Sequence, residues 1–461
     1  MKHLGVKVPV KNSPVLDPGF IPMGSFNRAY LQGAKKPFTI AVERQNGELA
    51  RVDSFLCGKP ETAEADRYYV NRLVKTILWV KGGFRIYFSG DREMFEYLRS
   101  AYADGGEQDF DYRHMSGVYE QTMEVLFTDE VPPSKDSPKR MGGHLSGCRI
   151  GFDAGGSDRK VSAVLNGECV FSEEVVWFPK LNADPVYHYD GIVSALKAAA
   201  KHLPRVDAVG VSSAGTYIDN RTMAASLFIK VPKPLFDEKV RDIYIRAITD
   251  CFGDIPFEVV NDGDVTALSG MMSLGEANVL GIAMGTSEAG GFVDREGRIT
   301  GWQNELAFVP VDCQKDAEID EWSLDRGVGA KYFSQDAVIR LAPRAGILLR
   351  EDLSPAEKLK EVQRRLAEGD GAAEKIYLTI GSYLGHTLAF YYELYRMKHV
   401  LLLGRVMSGK GGDIILTEAK RVLADEYPEV ARAIRPSLPD EKFRRLGQSV
   451  AAASLPILRE E

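Results

Sequence analysis

Apolar and polar positions alternate along this chain in patterns that predict short strands and helices in mixed order. Over residues 1–145 the spacing of apolar residues is that of a strand in some segments and that of a helix in others. The predicted elements there are a hairpin over residues 37–56 that turns at Asn46-Gly47, a helix over 65–81 that stops at Gly82-Gly83, a strand over 84–90 and a helix over 91–106. This block is therefore predicted to be an α+β unit.

A stretch rich in Pro, Gly, Ser and Lys over residues 130–147 interrupts these patterns. Such a composition is typical of a linker. We therefore expect a domain boundary near residue 145, with residues 1–145 as an N-terminal extension. The sequence of this extension does not decide its role, which could be to cover a cleft, to bind substrate or to mediate assembly.

A β-meander is predicted directly after the linker and again later in the chain. Residues 148–178 have the pattern strand, Gly-rich turn, strand, Asn-Gly turn and strand, and residues 278–302 follow the same plan. The first turn of each contains a serine after a small residue, at Ser157 and Ser287. An internal duplication constrains the architecture more than any single motif does.

Helices and strands alternate in the rest of the chain, which favours an α/β class. The predicted elements are a helix over 190–203, a strand over 206–215, a helix over 236–252, a strand over 257–260, a helix capped by Ser354 with Glu357, a long apolar helix over 377–397, a strand from 399, a helix after the following glycine-rich loop, and a small-residue helix near 446–458 that suits close packing.

The stretch FEVVNDGDVTAL, residues 257–268, brings a β-branched strand directly to an amide and two carboxylates. Asp262 at the strand end could accept the proton of a hydroxyl group during phosphoryl transfer, and Asn261 could fix a sugar hydroxyl. The alternative is a plain turn followed by a helix cap. For Asp264 we expect the cap.

The two predicted first turns could each hold phosphate. Gly155 and Gly156 allow a tight turn with exposed backbone N–H groups, and a serine hydroxyl adjoins them. Asp153 before this turn could bind a hydrated Mg²⁺. The residues of the two turns that we assign to phosphate are Gly155, Gly156 and Ser157, and Gly285, Thr286 and Ser287. Ordinary hairpin turns are the alternative.

A third glycine-rich loop, GRVMSGKGG at residues 404–412, lies between a predicted strand and a helix. Such a turn suits a nucleotide's base and ribose, or a phosphate at the helix start. We assign Gly404, Ser408 and Gly409 to this role. The loop does not match the P-loop pattern, and a plain loop is the alternative.

The bulk composition narrows the classes of partner. The 461 residues have a formal net charge of −7, with 44% hydrophobic and 27% charged residues, so nucleic acid and membranes are not expected as partners. The five cysteines form no CxxC pair, which argues against a disulfide framework. The first 20 residues have no apolar core of signal-peptide length, and a cytoplasmic location is expected.

The ordered set of motifs resembles the ROK family of sugar kinases and sugar-responsive repressors, within the actin-like ATPase superfamily. DAGGS looks like its first phosphate motif, GVSSAG like its sugar-side loop, and VVND like its catalytic Asn-Asp. GTSEAGG looks like the second phosphate motif and LLLGRVMSGKGG like the adenosine loop. The resemblance covers residues 148–455.

This resemblance implies two RNase H-like domains around a cleft, assigned to residues 148–265 and 266–461, with ATP and Mg²⁺ between them. The last helix of the second domain could return to the first. It makes Asp262 the general base toward a hexose hydroxyl and Asn261, Glu305 and Gly215 sugar-binding residues. It also implies a possible homodimer.

The chain departs from the family pattern at several motifs. Leu306 follows Glu305 where the family has Gly and a zinc-ligating His, and the family's Cys-rich run is absent, so no structural zinc is expected. Glu288 adjoins the second phosphate motif, and Arg405 replaces a glycine of the adenosine loop.

Three hypotheses follow. The first is an ATP-dependent kinase of a hexose or related sugar. The second is a regulatory sugar sensor on the same scaffold that has lost kinase activity. The third is an ATPase without a sugar acceptor.

Overall fold

The structure, a computed structural model, describes residues 1–458 of the chain, and it describes the backbone but not the side chains of residues 441–446. The last three residues of the predicted segment 266–461 lie outside the described residues. The described chain forms two compact units. Unit 1 comprises residues 1–137, 282–290 and 302–438, and unit 2 comprises residues 138–281, 291–301 and the chain from 439. The predicted boundaries of the three domains stay predictions.

The strands are short and are distributed along the whole chain. They are β1 (Lys2–His3), β2 (Val6–Lys7), β3 (Lys36–Arg44), β4 (Glu48–Leu56), β5 (Arg85–Ser89), β6 (Glu124–Phe127), β7 (Cys148–Ala154), β8 (Asp158–Leu165), β9 (Glu168–Val176), β10 (Ala208–Ser213), β11 (Thr216–Ile218), β12 (Arg221–Ala224), β13 (Phe257–Asn261), β14 (Val279–Met284), β15 (Glu288–Val293), β16 (His399–Leu403) and β17 (Arg435–Ser437).

Helices alternate with these strands. They are α1 (Met23–Leu31), α2 (Ala63–Lys81), α3 (Arg92–Ala101), α4 (Asp109–Tyr119), α5 (Pro185–Ala200), α6 (Lys233–Leu235), α7 (Ile243–Phe252), α8 (Asp262–Leu274), α9 (Gln335–Arg344), α10 (Pro355–Ala367), α11 (Gly371–Tyr395), α12 (Lys410–Glu426), α13 (Pro428–Ala433) and α14 (Glu441–Ala453). The 3₁₀ turns that matter below are Pro179–Leu181, Leu306–Phe308 and Arg405–Met407.

Three larger sheets organise these elements. Unit 1 contains a sheet of order β4-β3-β5-β6, and unit 2 contains a sheet of order β13-β10-β7-β8-β9. A further sheet has the order β15-β14-β16-β17. Strands β7, β10 and β13 are parallel, whereas β7, β8 and β9 form an antiparallel meander. The predicted α/β class is confirmed.

The hairpin of β3 and β4 turns where the sequence predicts. Asn46 and Gly47 have φ values of 60° and 66°, which is the left-handed region that Asn and Gly tolerate best. The predicted capping box is also present, because the Ser354 hydroxyl accepts the Glu357 N–H and the Glu357 carboxylate accepts the Ser354 N–H. Local sequence signals therefore place these elements correctly.

The small-residue helix α14 packs closely on the sheet of unit 2. Gly151 and Gly210 lie opposite it on neighbouring strands, and a Cβ atom on them would come within 1.6 Å of the Ser449 carbonyl oxygen and 1.7 Å of that of Ala452. Ala452 is itself fully buried. Two glycines and the alanines of α14 thus bring helix and strand backbones together, which confirms the close packing that the composition predicts.

Two local predictions are wrong. The repeat over 278–302 was expected to form a third strand, but Ile299 makes only isolated bridges, one to Val293 and one to Lys139 through its own N–H and carbonyl. Helix α8 was expected to start after an Asp264 cap, but Asn261 is the N-cap, and the Asp264 carboxylate instead accepts the Phe292 N–H at 2.9 Å.

Among the helices of the described residues, none combines the length and the apolar character that crossing a lipid bilayer requires.

Candidate functional site

The carboxyl ends of three parallel strands in unit 2 bring several candidate residues to one edge of the sheet. In the strand register Asp153 pairs with Ser212, and Ser213 pairs with Asn261. Parallel strands end at the same edge, and ligands of open α/β sheets bind outside that edge. Asp153, Asn261 and Asp262 therefore belong to one cluster, which we call the acidic edge.

Asp153 is the most buried carboxylate of the acidic edge, with 9% of its surface exposed. Its Oδ1 accepts a hydrogen bond from the Ser212 hydroxyl at 2.8 Å. Burial raises the pKa of Asp153 to about 7; the Ser212 bond acts against this shift, and the negative charge of Asp262 adds to it. A cation bound here would stabilise the ionised carboxylate and so offset both burial and the charge of Asp262.

Asn261 and Gly215 are joined by a hydrogen bond within unit 2. The Asn261 amide donates from Nδ2 to the Gly215 carbonyl at 2.7 Å, and its Oδ1 accepts the Gly263 N–H at 2.7 Å. Gly215 has a φ of 139°, and a Cβ there would lie 2.4 Å from the Ala224 carbonyl oxygen, so only glycine fits. The structure thus brings together two residues that the resemblance assigns to sugar.

Asp262 is the first residue of α8 and is half-buried. Burial raises its pKa, while the Gly263 N–H and the positive charge of Lys180 lower it. The Gln448 amide donates to the Asp262 carbonyl at 3.0 Å and so holds the backbone in place. A carboxylate with a raised pKa is better suited to accept a proton near neutral pH than an ordinary surface Asp.

The first predicted phosphate turn adjoins this edge, and Trp177 fixes it. The Trp177 indole donates to the Gly155 carbonyl at 2.7 Å, and the Trp177 N–H donates to the Ser157 carbonyl at 3.2 Å. Gly156 and Ser157 are exposed. Sequence reasoning missed both Trp177 and Lys180, because the segment that contains them matches no motif.

Unit 1 holds the second set of candidate residues. The turn Gly285-Thr286-Ser287 joins β14 to β15, and the Gly285 N–H donates to the Ser287 carbonyl at 3.0 Å. Gly404 lies against the end of β14, because a Cβ on it would come within 2.4 Å of the Met284 carbonyl oxygen. The second phosphate turn and the start of the predicted adenosine loop are therefore neighbours.

The predicted adenosine loop leads into a long helix with an open start. Gly409 is the N-cap of α12 with a φ of 64°, and a Cβ there would meet nothing within 4 Å. Ser408 is exposed beside it. Arg405 begins a 3₁₀ turn whose carbonyl accepts from the Gln363 amide at 2.8 Å. The N-terminus of a helix favours negative charge, so the start of α12 has the character of an anion site.

Glu288 does not face solvent from the second phosphate turn. It is 3% exposed, its Oε1 lies 3.5 Å from the Tyr391 hydroxyl, and its Oε2 has no hydrogen-bond partner. Burial raises its pKa well above the ordinary value, and the charge of Glu305 adds to this shift. Burial thus favours the neutral form of Glu288 more than that of an exposed carboxyl, which acts against the repulsion of phosphate that its sequence position suggests.

Glu305 lies on a segment that helix α2 supports. The Glu305 N–H donates to the Trp79 carbonyl at 3.0 Å, and the Asn304 N–H donates to that of Val80 at 3.1 Å. Both acceptors belong to the first 137 residues, which share unit 1 with this segment. The N-terminal block therefore helps to fix the backbone of a residue that the resemblance assigns to sugar binding.

The described side chains form no cluster of three or more His, Cys, Asp or Glu that could hold a metal by themselves. The acidic edge still fits Mg²⁺, which uses one or two carboxylates together with phosphate oxygens. The raised pKa of Asp153, with Asp262 as a second negative charge, is the observation that supports this fit.

The fold is similar to that of ROK proteins. A ROK hexokinase from Thermus thermophilus matches with a TM-score of 0.51 and 18% identity over 66% of this chain and 97% of its own. A ROK family glucokinase from Streptomyces griseus, solved with glucose and AMPPNP, matches with 0.50 and 20% over 68% of this chain and 100% of its own. A ROK family transcriptional regulator, a homologue of the E. coli MLC protein, matches with 0.51 and 15% over 68% of this chain and 78% of its own.

No protein-family model matches the chain, and no curated protein matches it significantly. The structural likenesses confirm the resemblance to the ROK family at the level of the fold.

The raised pKa of Asp153 predicts a pH-dependent effect of Asp153→Asn in the absence of nucleotide and Mg²⁺. The neutral carboxyl contributes stability that is fully present below pH 4 and is lost as the pH rises through about 7. Asparagine stays neutral and can still accept the Ser212 bond. The variant should thus exceed wild type in free energy of unfolding by up to about 4 kcal/mol at pH 8, and by almost nothing at pH 4.

Denaturant unfolding of both proteins at several pH values measures this difference. A difference that does not change between pH 4 and pH 8 would contradict the buried, proton-binding state of Asp153.

Proposed function

We propose that this protein is an ATP-dependent sugar kinase that transfers the γ-phosphoryl group to a hydroxyl of a hexose or related sugar. The observation that supports this most is the acidic edge, where Asp262 starts a helix near Asp153, and Asp153 directly precedes the Gly155–Ser157 turn. The proposal includes two RNase H-like domains, as the resemblance implies.

In the proposed reaction Asp262 acts as the general base. Its carboxylate takes the proton of the attacking hydroxyl as the new P–O bond to the sugar forms, and the bond between the γ-phosphorus and the bridging oxygen breaks to leave ADP. The raised pKa of Asp262 favours this proton transfer near neutral pH. Asn261 holds the loop at Gly215, so that the acceptor side of the edge is ordered before substrate binds.

The other candidate residues bind rather than react. Gly155, Gly156 and Ser157 offer backbone N–H groups and a hydroxyl to phosphate, and Asp153 would hold Mg²⁺. Magnesium, when bound, would neutralise phosphate charge. In unit 1 we assign Gly285, Thr286 and Ser287 to phosphate, Gly404, Ser408 and Gly409 to the nucleoside, and Glu305 to sugar.

A sugar-sensing regulator is the second candidate. Two observations favour it: a regulator is among the structures of similar fold, and a buried acid directly follows the second phosphate turn. Such a protein would bind sugar through Asn261, Gly215 and Glu305 without phosphorylating it.

Binding and turnover measurements separate these candidates. We expect Mg-AMPPNP and at least one hexose each to raise the melting temperature, because ligands of the folded state stabilise it. We also expect that hexose to be phosphorylated by Mg-ATP, with ADP release measured by a coupled assay. A shift with sugar alone and no ADP release would favour the sensor, and a shift with nucleotide alone would favour an ATPase.

A further inference from the structure

Lys180 is a cation at the acidic edge that no motif indicates. It lies in the 3₁₀ turn Pro179–Leu181, shortly after β9. A Cβ atom built on Gly156 would be 3.1 Å from the Lys180 Cε and 3.4 Å from its Nζ, so the ammonium lies over the first phosphate turn. The positive charge also acts on the Asp262 carboxylate. One lysine therefore lies at the turn and also acts electrostatically on the proposed base.

The backbone around Lys180 is held to that same turn. Trp177, three residues earlier, bonds to the carbonyl groups of Gly155 and Ser157. The distance between the His188 Nε2 and the Pro179 carbonyl oxygen is 3.0 Å, and the Asn182 amide donates to the Phe178 carbonyl at 2.7 Å. These bonds hold the backbone at Lys180 in place. Its flexible side chain stays free to contact a ligand.

The exposure of Lys180 and its lack of bonding partners among the described residues argue against a purely structural role. Its side chain is exposed, and within the described part of the chain it forms no ion pair or hydrogen bond. Exposed lysines that neutralise a carboxylate for stability contribute little. A compact ammonium next to a glycine turn is, however, a common arrangement for binding phosphate.

We propose that Lys180 binds the terminal phosphate of the nucleotide at the Gly155–Ser157 turn and stays in contact with that group as it passes to the acceptor hydroxyl. The inference rests on the proposed function and adds a catalytic residue to it. The ammonium would balance charge on the phosphoryl oxygens during transfer, which is where fixed positive groups have their largest effect on rate.

The first test uses Lys180→Met, which keeps the length of the side chain and removes its charge. We expect kcat/KM for Mg-ATP to fall by about 100- to 1,000-fold, as when one group that stabilises transition-state charge is removed. Lys180→Arg should keep an intermediate rate, because it restores charge with a different shape. Lys201→Met is the matched control, since Lys201 is an exposed lysine of the same unit at the end of α5.

The second readout does not depend on turnover. Calorimetric titration of the full chain with Mg-AMPPNP and with tripolyphosphate should show affinities at least about tenfold weaker for Lys180→Met than for wild type and Lys201→Met, because a charge-assisted bond to phosphate is lost. Circular dichroism and thermal unfolding of each variant check that it is folded. If Lys180→Met misfolds, Lys180→Arg provides the comparison, with an altered rate expected.

The outcomes separate this inference from the proposed function. If wild type binds both probes but phosphorylates no sugar, the proposed function fails while the binding data still decide the role of Lys180. If a folded Lys180→Met matches wild type in both binding and turnover, the inference on Lys180 is overturned and the kinase stands. If wild type binds neither probe, both proposals fail.

Discussion

Replacing Asp262 by Asn should lower kcat for sugar phosphorylation by about 100- to 10,000-fold, the range typical of a lost general base. Asparagine has nearly the same shape and cannot accept the hydroxyl proton. The wild-type pH profile should also fall in acid, with an apparent pKa above the ordinary Asp value of about 3.9, because burial raises the pKa of this carboxyl. Steady-state kinetics between pH 5 and pH 9 measure both effects.

Binding and stability should respond differently from rate in this variant. Asn261, Gly215 and the Gly263 N–H keep their mutual bonds, so the melting-temperature shift with the accepted hexose should be retained. The unliganded variant should be no less stable than wild type, because a neutral amide is cheaper to bury than a carboxylate. Near-normal kcat in a folded Asp262→Asn protein would remove Asp262 from the mechanism.

The second large effect is expected on folding, from a single added methyl group. Gly210→Ala would place a Cβ 1.7 Å from the Ala452 carbonyl oxygen, a distance that two atoms cannot adopt. Strand β10 and helix α14 must then move apart, although both contribute to the buried core of unit 2. We expect a loss of more than about 4 kcal/mol in the free energy of unfolding, or a failure to accumulate folded protein.

Gly117→Ala is the matched control for this substitution. Gly117 lies inside helix α4, where a Cβ would meet nothing within 4 Å, and it has no positive φ. The same chemical change there should raise stability by about 0.5–1 kcal/mol, because alanine loses less backbone freedom in a helix. Calorimetric melting of both variants checks the pair, and a Gly210→Ala protein that melts like wild type would refute the close packing.

Much of this protein was determined by its sequence through short-range physical chemistry. The Asn46-Gly47 turn, the Ser354 capping box and the strand-turn-strand pattern after residue 148 all depend on backbone preferences that act over a few residues. The order of the glycine turns and the Asn261-Asp262 pair was sufficient to indicate the ROK-type fold, which the solved structures of similar fold confirm.

Local pattern failed where distant segments compete for the same groups. Asp264 looked like a helix cap, but its carboxylate accepts a hydrogen bond from the N–H of Phe292, 28 residues later, and Asn261 caps the helix. Ile299 looked like a strand residue, but its backbone groups bond to Lys139. Neither partner can be recognised from spacing alone, because each contact exists only once the chain has folded.

The tertiary structure alone decided the electrostatic state of the acidic edge. The alignment of three parallel strands places Asp153 near Asp262, and burial then raises the pKa of both carboxyls. The same folding places Lys180 over Gly156 and turns Glu288 into the interior toward Tyr391. Sequence determines which groups the chain carries, whereas their protonation and partners depend on distances and solvent exclusion between residues that are far apart in the chain.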